Sequence, residues 1–190
     1  MGESPIQKGV KPMKRPSIES QLFEALAFAA HKHRAQRRKD VEASPYINHP
    51  IALARTLAVE GGISETKTLI AAVLHDTVED TDTTFAEIRA QFGAKVADVV
   101  REVTDDKTLP KVDRKRLQIE HAPHMSKRAA LVKLADKTSN LRDVASNPPR
   151  GWPLERKRAY FDWAKAVVDQ LPPVSKRLRA AFDEAYSKRP

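Results

Sequence analysis

LIAAVLHDTVEDTDTT, residues 69–84, opens with six apolar residues in a row and then changes character within one turn. The apolar run reads as a helix buried on all sides. That helix delivers His75 and Asp76, then Glu79 and Asp80. If it continues, the four side chains share an arc of roughly 140°, because residues three and four apart lie on one face. Gathering an imidazole and three carboxylates is costly unless a cation or solvent compensates. A lone His-Asp pair is common, and a solvated acidic helix end accounts for it. The denser HDxxED behind a buried helix points further, to a metal.

Outward from this stretch the chain reads as almost entirely helical. A first helix runs from about Ser17, its N-cap, to Arg37, with Leu22, Leu26, Ala29 and Ala30 at helical spacing. A second starts near Pro50 and stops at Gly61-Gly62. Ser64 caps the third, which carries the apolar run. Thr84 and Glu87 form a capping box for a fourth, and Gly93 separates it from a fifth ending near Thr104. DDKTLPK, residues 105–111, is a loop. Further helices fit 112–120, 126–145, 154–171 and 174–186, punctuated by prolines. A short hairpin has room only in 39–47. The expected fold class is therefore all-α. Residues 1–16 read as a flexible basic arm, and 17–190 as a single domain.

Composition removes several chemistries. The 190 residues include no cysteine, which excludes disulfides, thiolate metal sites and a cysteine nucleophile. Neither GxGxxG nor GxxxxGK[ST] occurs, which excludes a Rossmann fingerprint and a P-loop. The longest apolar runs are residues 25–30 and 69–74, far short of the roughly 20 that a membrane helix needs. The N-terminus lacks the apolar stretch of a secretory signal, so a cytoplasmic location is expected. Net charge is +9, of which residues 1–39 carry +6. Such asymmetry attracts polyanions: nucleic acid, an acidic membrane face or a phosphorylated small molecule. Arg34, Arg37 and Arg38 share a helix face if the first helix lasts that far, and Lys39 follows.

A metal needs more ligands than one segment gives. His49 opens the second helix in YINHPIAL, where a capping or surface histidine is the plainer reading. Asp136, in LVKLADKTSNLRD, borders the apolar face of an amphipathic helix, where a carboxylate is paired or metal-bound. Its plainer partners are Lys133 or Arg142. Together His49, His75, Asp76 and Asp136 make an N2O2 set that suits Mn²⁺ and also takes Zn²⁺, Fe²⁺ or Co²⁺. His31, His33, His121 and His124 read as surface or structural.

QRRKDVEASPYINHP, AAVLHDTVEDTDTTFAEI, FGAKVADVVREVTDDKTLPK and LVKLADKTSNLRDV, in this order, resemble the HD-domain hydrolases of the RelA/SpoT family. The resemblance runs from about residue 22 to residue 170 and is nearest to the small, hydrolase-only members, including the metazoan SpoT homologues. It implies an all-helical HD bundle and Mn²⁺-dependent removal of pyrophosphate from the 3′ position of (p)ppGpp. It implies His49, His75, Asp76 and Asp136 as metal ligands, and Glu79 and Asp80 as the acidic pair that handles the attacking water. Arg38 and Lys39 match basic residues beside the nucleotide, Asn140 a nucleoside contact, and Tyr46 and Lys133 further pocket residues. Two positions depart from the pattern: Thr138 and Ser139 replace a leucine and an aromatic or histidine, which is expected to reshape the base pocket. No synthetase region accompanies the motifs, so hydrolysis alone is expected.

The residues agree with that chemistry. A divalent ion lowers the pKa of water and offsets phosphate charge, and a carboxylate beside it orients the water and takes its proton. Arg38 and Lys39 suit a multiply charged nucleotide. The expected partner is guanosine tetra- or pentaphosphate, with no membrane and no specific nucleic acid. Two other functions compete: a phosphohydrolase on another nucleotide, such as NADPH, and a basic helical nucleic-acid-binding module. The second lacks a recognisable reading motif.

Overall fold

Leu69 to Leu74 are all buried in the computed structural model, which describes residues 17–190. The arm read at 1–16 lies outside the described residues. In chain order the helices are α1 (Ile18–Lys32), α2 (Asn48–Arg55), α3 (Thr66–Leu74), α4 (Thr77–Asp80), α5 (Phe85–Phe92), α6 (Ala94–Val103), α7 (Lys111–His121), α8 (Lys127–Ser146), α9 (Leu154–Gln170) and α10 (Lys176–Tyr186). A π-turn, Thr56–Glu60, extends α2, and a 3₁₀ turn, Ala122–His124, follows α7. Among the described residues, none of these helices is long and apolar enough to cross a membrane.

Two buried helices organise the bundle. α3 packs against α1, α2, α6 and α8, and α8 in turn against α2, α6, α9 and α10. Every residue of α8 from Ala129 to Ser139 is buried. Its first turns are alanine-rich, so neighbouring backbones approach closely, and leucines and valines fill the gaps. Apolar burial holds the core, and side-chain caps mark where some of the helices begin. Ser17, Thr84 and Ser126 accept from the backbone N–H groups of Ser20, Glu87 and Ala129. Gly93 stands at φ 89°, a conformation that side chains resist, and lets α5 end and α6 begin without a linker.

Four boundaries differ from the sequence reading. α1 ends at Lys32, five residues before the expected Arg37, so Arg34, Arg37 and Arg38 do not share a helix face. The competing structure is a turn that folds the chain back on itself. Tyr46 N–H donates to the Gln36 carbonyl, Arg38 N–H to the Ser44 carbonyl, and the Asp40 carboxylate accepts from Ser44. The hairpin allowed for in 39–47 is thereby reduced to one antiparallel bridge, Arg37 with Pro45. α2 starts two residues before Pro50, whose missing N–H is harmless in a first turn. The cap of α3 is Glu65 rather than Ser64.

The fourth difference matters most for the site. The helix does not run on through HDxxED. It breaks after Leu74 and restarts at Thr77, with Asp76 at φ −98° and ψ −2°. Thr77 and Thr81 return their hydroxyls to the carbonyls of Leu74 and Thr77, satisfying acceptors near the break.

Candidate active site

His75 ends α3 and its ring is fixed from behind. Its Nδ1–H donates to the Ala72 carbonyl at 2.8 Å, which leaves Nε2 facing forward. That Nε2 is buried, and the Asp76 carboxylate that approaches it lies off the hydrogen-bond direction. His49, in the first turn of α2, brings its own Nε2 to 3.3 Å from Asp136 Oδ1. Asp136 lies mid-way along α8, and the same oxygen is 3.9 Å from His75 Nε2. Ligand atoms of His49, His75 and Asp136 all fall within 4.8 Å of one another. Three segments far apart in sequence thus converge, and two imidazole nitrogens with two carboxylates beside them fit a divalent cation. Asp76 stands at the side of the cluster, its Oδ2 2.9 Å from His75 Nε2 and 4.0 Å from His49 Nε2.

Neighbours orient these ligands. The Tyr46 hydroxyl donates to Asp76 Oδ2. Asn140 Nδ2, one turn along α8, donates to Asp136 Oδ1 at 2.6 Å. Lys137 Nζ lies 3.2 Å from Asp136 Oδ2 and 4.3 Å above the Trp163 ring. Asp136 is therefore paired with Lys137, not with the partners read from sequence. Lys133 Nζ donates to the Val103 carbonyl at 3.0 Å, and Arg142 forks onto Glu60. Burial pushes the His75 imidazole down, but Asp76 and Asp136 outweigh it and carry it up to about 9. Burial also opposes the charged form of Asp136, and Lys137 and the histidines overcome it, holding that carboxyl well below its usual range.

Glu79 and Asp80 sit on α4, just past the break. Glu79 Oε2 accepts the Asp105 backbone N–H at 2.9 Å. Burial, helped by Asp76, Asp105 and Asp80, raises the Glu79 carboxyl to about 7 against that hydrogen bond. Asp80 accepts from Gln36 Nε2 at 2.8 Å and pairs with Lys107. A carboxyl that titrates near neutrality, beside a cluster fit for a cation, has the proton affinity of a general base.

Three cavities meet at this point. An inner one of about 150 Å³ is lined by the histidine–carboxylate cluster with Tyr46, Glu79, Lys133 and Asn140. An outer cleft of about 560 Å³ is lined by Arg38, Lys39, Tyr46, His49, Asn140, Asp143 and Tyr160, among others. A basic cleft of about 430 Å³ runs from Glu79 and Asp80 past Lys107, Lys111, Arg114, Lys115 and Arg156, floored by Trp152, Tyr160 and Trp163. Burial and mutual repulsion lower the pKa of Lys115.

Every residue read from the sequence as part of a site borders one of these cavities. Tyr46 and Lys133 share the inner cavity, and Arg38 and Lys39 the outer cleft. Arg38 Nη2 donates to Asp143 Oδ2 at 2.5 Å, and its guanidinium lies 5.7 Å from the Tyr46 ring centre. Thr138 and Ser139 do not line the outer cleft. Both are buried in α8 away from it, with the Thr138 hydroxyl on the Leu134 carbonyl. His33 is structural: its Nδ1–H donates to Gln36 Oε1 and its ring lies against Tyr46. The sequence reading missed Gln36, Asp105, Lys107, Lys137 and Asp143. Gln36 and Lys107 lie within the quoted motifs QRRKD and VTDDKTLPK, yet only the folded chain brings them to Asp80.

The HD domain family matches residues 25–160. The chain belongs to it. A mouse relative, the guanosine-3′,5′-bis(diphosphate) 3′-pyrophosphohydrolase MESH1 of Mus musculus, is 56% identical over 173 residues, covering 91% of this chain and 97% of its own. The bifunctional (p)ppGpp synthase/hydrolase SpoT of Escherichia coli is 37% identical over 163 residues, 83% of this chain but 22% of SpoT. A solved structure, of a metazoan orthologue of SpoT that hydrolyzes ppGpp, superposes with a TM-score of 0.87 at 50% identity, covering 93% and 98% of the two chains. Within the HD-domain family the chain therefore stands with the small RelA/SpoT-type hydrolases, and the all-helical HD fold read from the sequence is the fold observed.

Proposed function

We propose that this protein hydrolyses (p)ppGpp at the 3′ position, releasing pyrophosphate and GDP or GTP. The observation that carries the reading is the convergence of His49, His75 and Asp136, with Asp76 beside them, next to a carboxyl that titrates near 7 and a basic cleft. Relatives alike over nine-tenths of the chain carry the name of that activity. His49, His75, Asp76 and Asp136 would hold Mn²⁺, which an imidazole and carboxylate set without thiolate suits. When bound, the ion lowers the pKa of water and offsets phosphate charge.

The protein's own residues do the rest. Intact pyrophosphate and a free 3′-hydroxyl require the bond between the ribose 3′ oxygen and the adjacent phosphorus to break. A water oxygen forms the new bond to that phosphorus, and the ribose oxygen leaves with a proton. Glu79, whose Oε2 is fixed by Asp105, takes the proton of the attacking water. Asp80, held by Gln36, orients that water from the other side. Arg38 and Lys39 hold the nucleotide in the outer cleft, where Arg38 offers a planar fork to phosphate and a face to the base. Asn140 touches the nucleoside and keeps Asp136 turned inward. The lysines and arginines of the basic cleft receive the departing pyrophosphate.

Incubating the Mn²⁺-loaded protein separately with ppGpp and with NADPH, then separating the products, tests the reading. GDP and pyrophosphate, one of each per turnover, is the expected result. Orthophosphate as the first product from ppGpp, or turnover of NADPH alone, would refute it.

A further inference from the structure

One loop holds both members of the acidic pair. Residues 104–110 join α6 to α7, and from this segment the Asp105 N–H reaches Glu79 while Lys107 reaches Asp80. The loop is short of internal support: Asp106 caps Thr108, and Leu109 N–H donates to the Asp106 carbonyl. A strong tie to the bundle comes from α7, where Gln118 Nε2 donates to Asp105 Oδ2 at 2.6 Å.

Gln118 is an awkward residue for its place. Its Oε1 is buried with no hydrogen-bond partner, so half of its amide is unsatisfied. Leucine would leave no such acceptor unsatisfied. What leucine lacks is a donor for Asp105, and a cationic donor would add charge beside Glu79. A neutral amide fixes Asp105 and leaves the local charge alone.

We infer that Gln118 is a positioning residue: by holding the Asp105 carboxylate it aims the Asp105 N–H at Glu79 and fixes the direction of that carboxylate. The inference rests on Glu79 as the proton acceptor in ppGpp hydrolysis. Gln118 borders the inner cavity, but its donor is engaged by Asp105 and its effect passes through the loop.

The test compares the parent, Gln118→Leu, Asp105→Ala and Asp105→Asn, each Mn²⁺-loaded and assayed on ppGpp. In Gln118→Leu, kcat falls about tenfold, a part of what a placed base contributes, while KM stays within about twofold and bound Mn²⁺ is unchanged. Asp105→Ala behaves alike. Asp105→Asn, which still offers Gln118 an acceptor, recovers most of the loss. In a Glu79→Gln background, Gln118→Leu costs nothing further, whereas a merely structural loss would multiply. A parent-like kcat in Gln118→Leu, or multiplying losses, overturns the inference. Absence of turnover in the parent overturns the ppGpp reading instead. Amide exchange across 104–110 then decides for the loop: faster exchange in Gln118→Leu supports the tie, and parent-like exchange refutes it.

Discussion

Titrating Glu79 tests whether the acidic pair does chemistry or only fills a turn. Its carboxyl is raised from 4.5 to about 7, first by burial and then by the charges of Asp76, Asp105 and Asp80, against the Asp105 hydrogen bond. A cation held by the histidine–carboxylate cluster offsets the Asp76 charge, whereas burial persists. The acidic limb of kcat for the loaded enzyme therefore falls no higher than about 7. At the upper bound, only about one-tenth of the base is ionised one pH unit below, and turnover drops in proportion. The assay is pyrophosphate release at saturating ppGpp and Mn²⁺ between about pH 5 and pH 9. Glu79→Gln should lower the plateau on the order of 10²–10⁴-fold, abolish the limb and keep the metal. Stability moves the opposite way. A carboxyl raised on folding adds stability that is full below its unfolded value and lost as pH rises through its folded one. Above pH 7 the ionised Glu79 therefore costs stability, and Glu79→Gln should melt at a higher temperature there. The same acidic limb persisting in Glu79→Gln would refute the assignment.

His75 near 9 means that loading Mn²⁺ around neutral pH should release about one proton per ion, measurable by calorimetry in buffers of different ionisation enthalpy; no release would show that the imidazole is already neutral. Asp136→Ala should lose bound metal and activity together, and its melting temperature should no longer rise with added Mn²⁺; full metal occupancy would remove Asp136 from the ligand set. Arg38→Ala should mainly raise KM and leave the metal in place, with ppGpp binding weakening only moderately as salt rises. Unchanged ppGpp kinetics together with lost, salt-steep nucleic-acid binding would favour a nucleic-acid interface instead.

Much of this was legible in the chain. Runs of helical periodicity bounded by Ser17, Thr84, Gly93 and Ser126 marked helices because capping is local chemistry. His49, His75, Asp76 and Asp136 stood out as hard or borderline ligands beside apolar helices, and the folded chain brings them to one cavity. The break at Asp76 was not legible: nothing in LHDTVED forbids a continuous helix, and the turn is fixed by where the histidine and carboxylate meet α2 and α8. The end of α1 at Lys32 was hidden for a similar reason. Arg34 to Arg38 favour helix locally, and the turn held by Asp40, Gln36 and Tyr46 overrides them. Loop contacts such as Lys107 with Asp80 depend on how α6 and α7 pack.

Two cations at the site already have tenants: Arg38 lies on Asp143, and Lys107 on Asp80. At these two cations an arriving phosphate competes with a carboxylate, whereas Lys39, Lys111 and Lys115, lining the same clefts, are open to it. At the two paired cations a single phosphate gains little over the resident it displaces. Several phosphates on one nucleotide evict several residents at once while losing translational freedom only once. The paired and the open cations together thus favour a nucleotide that brings several phosphates, before any contact with the base is made.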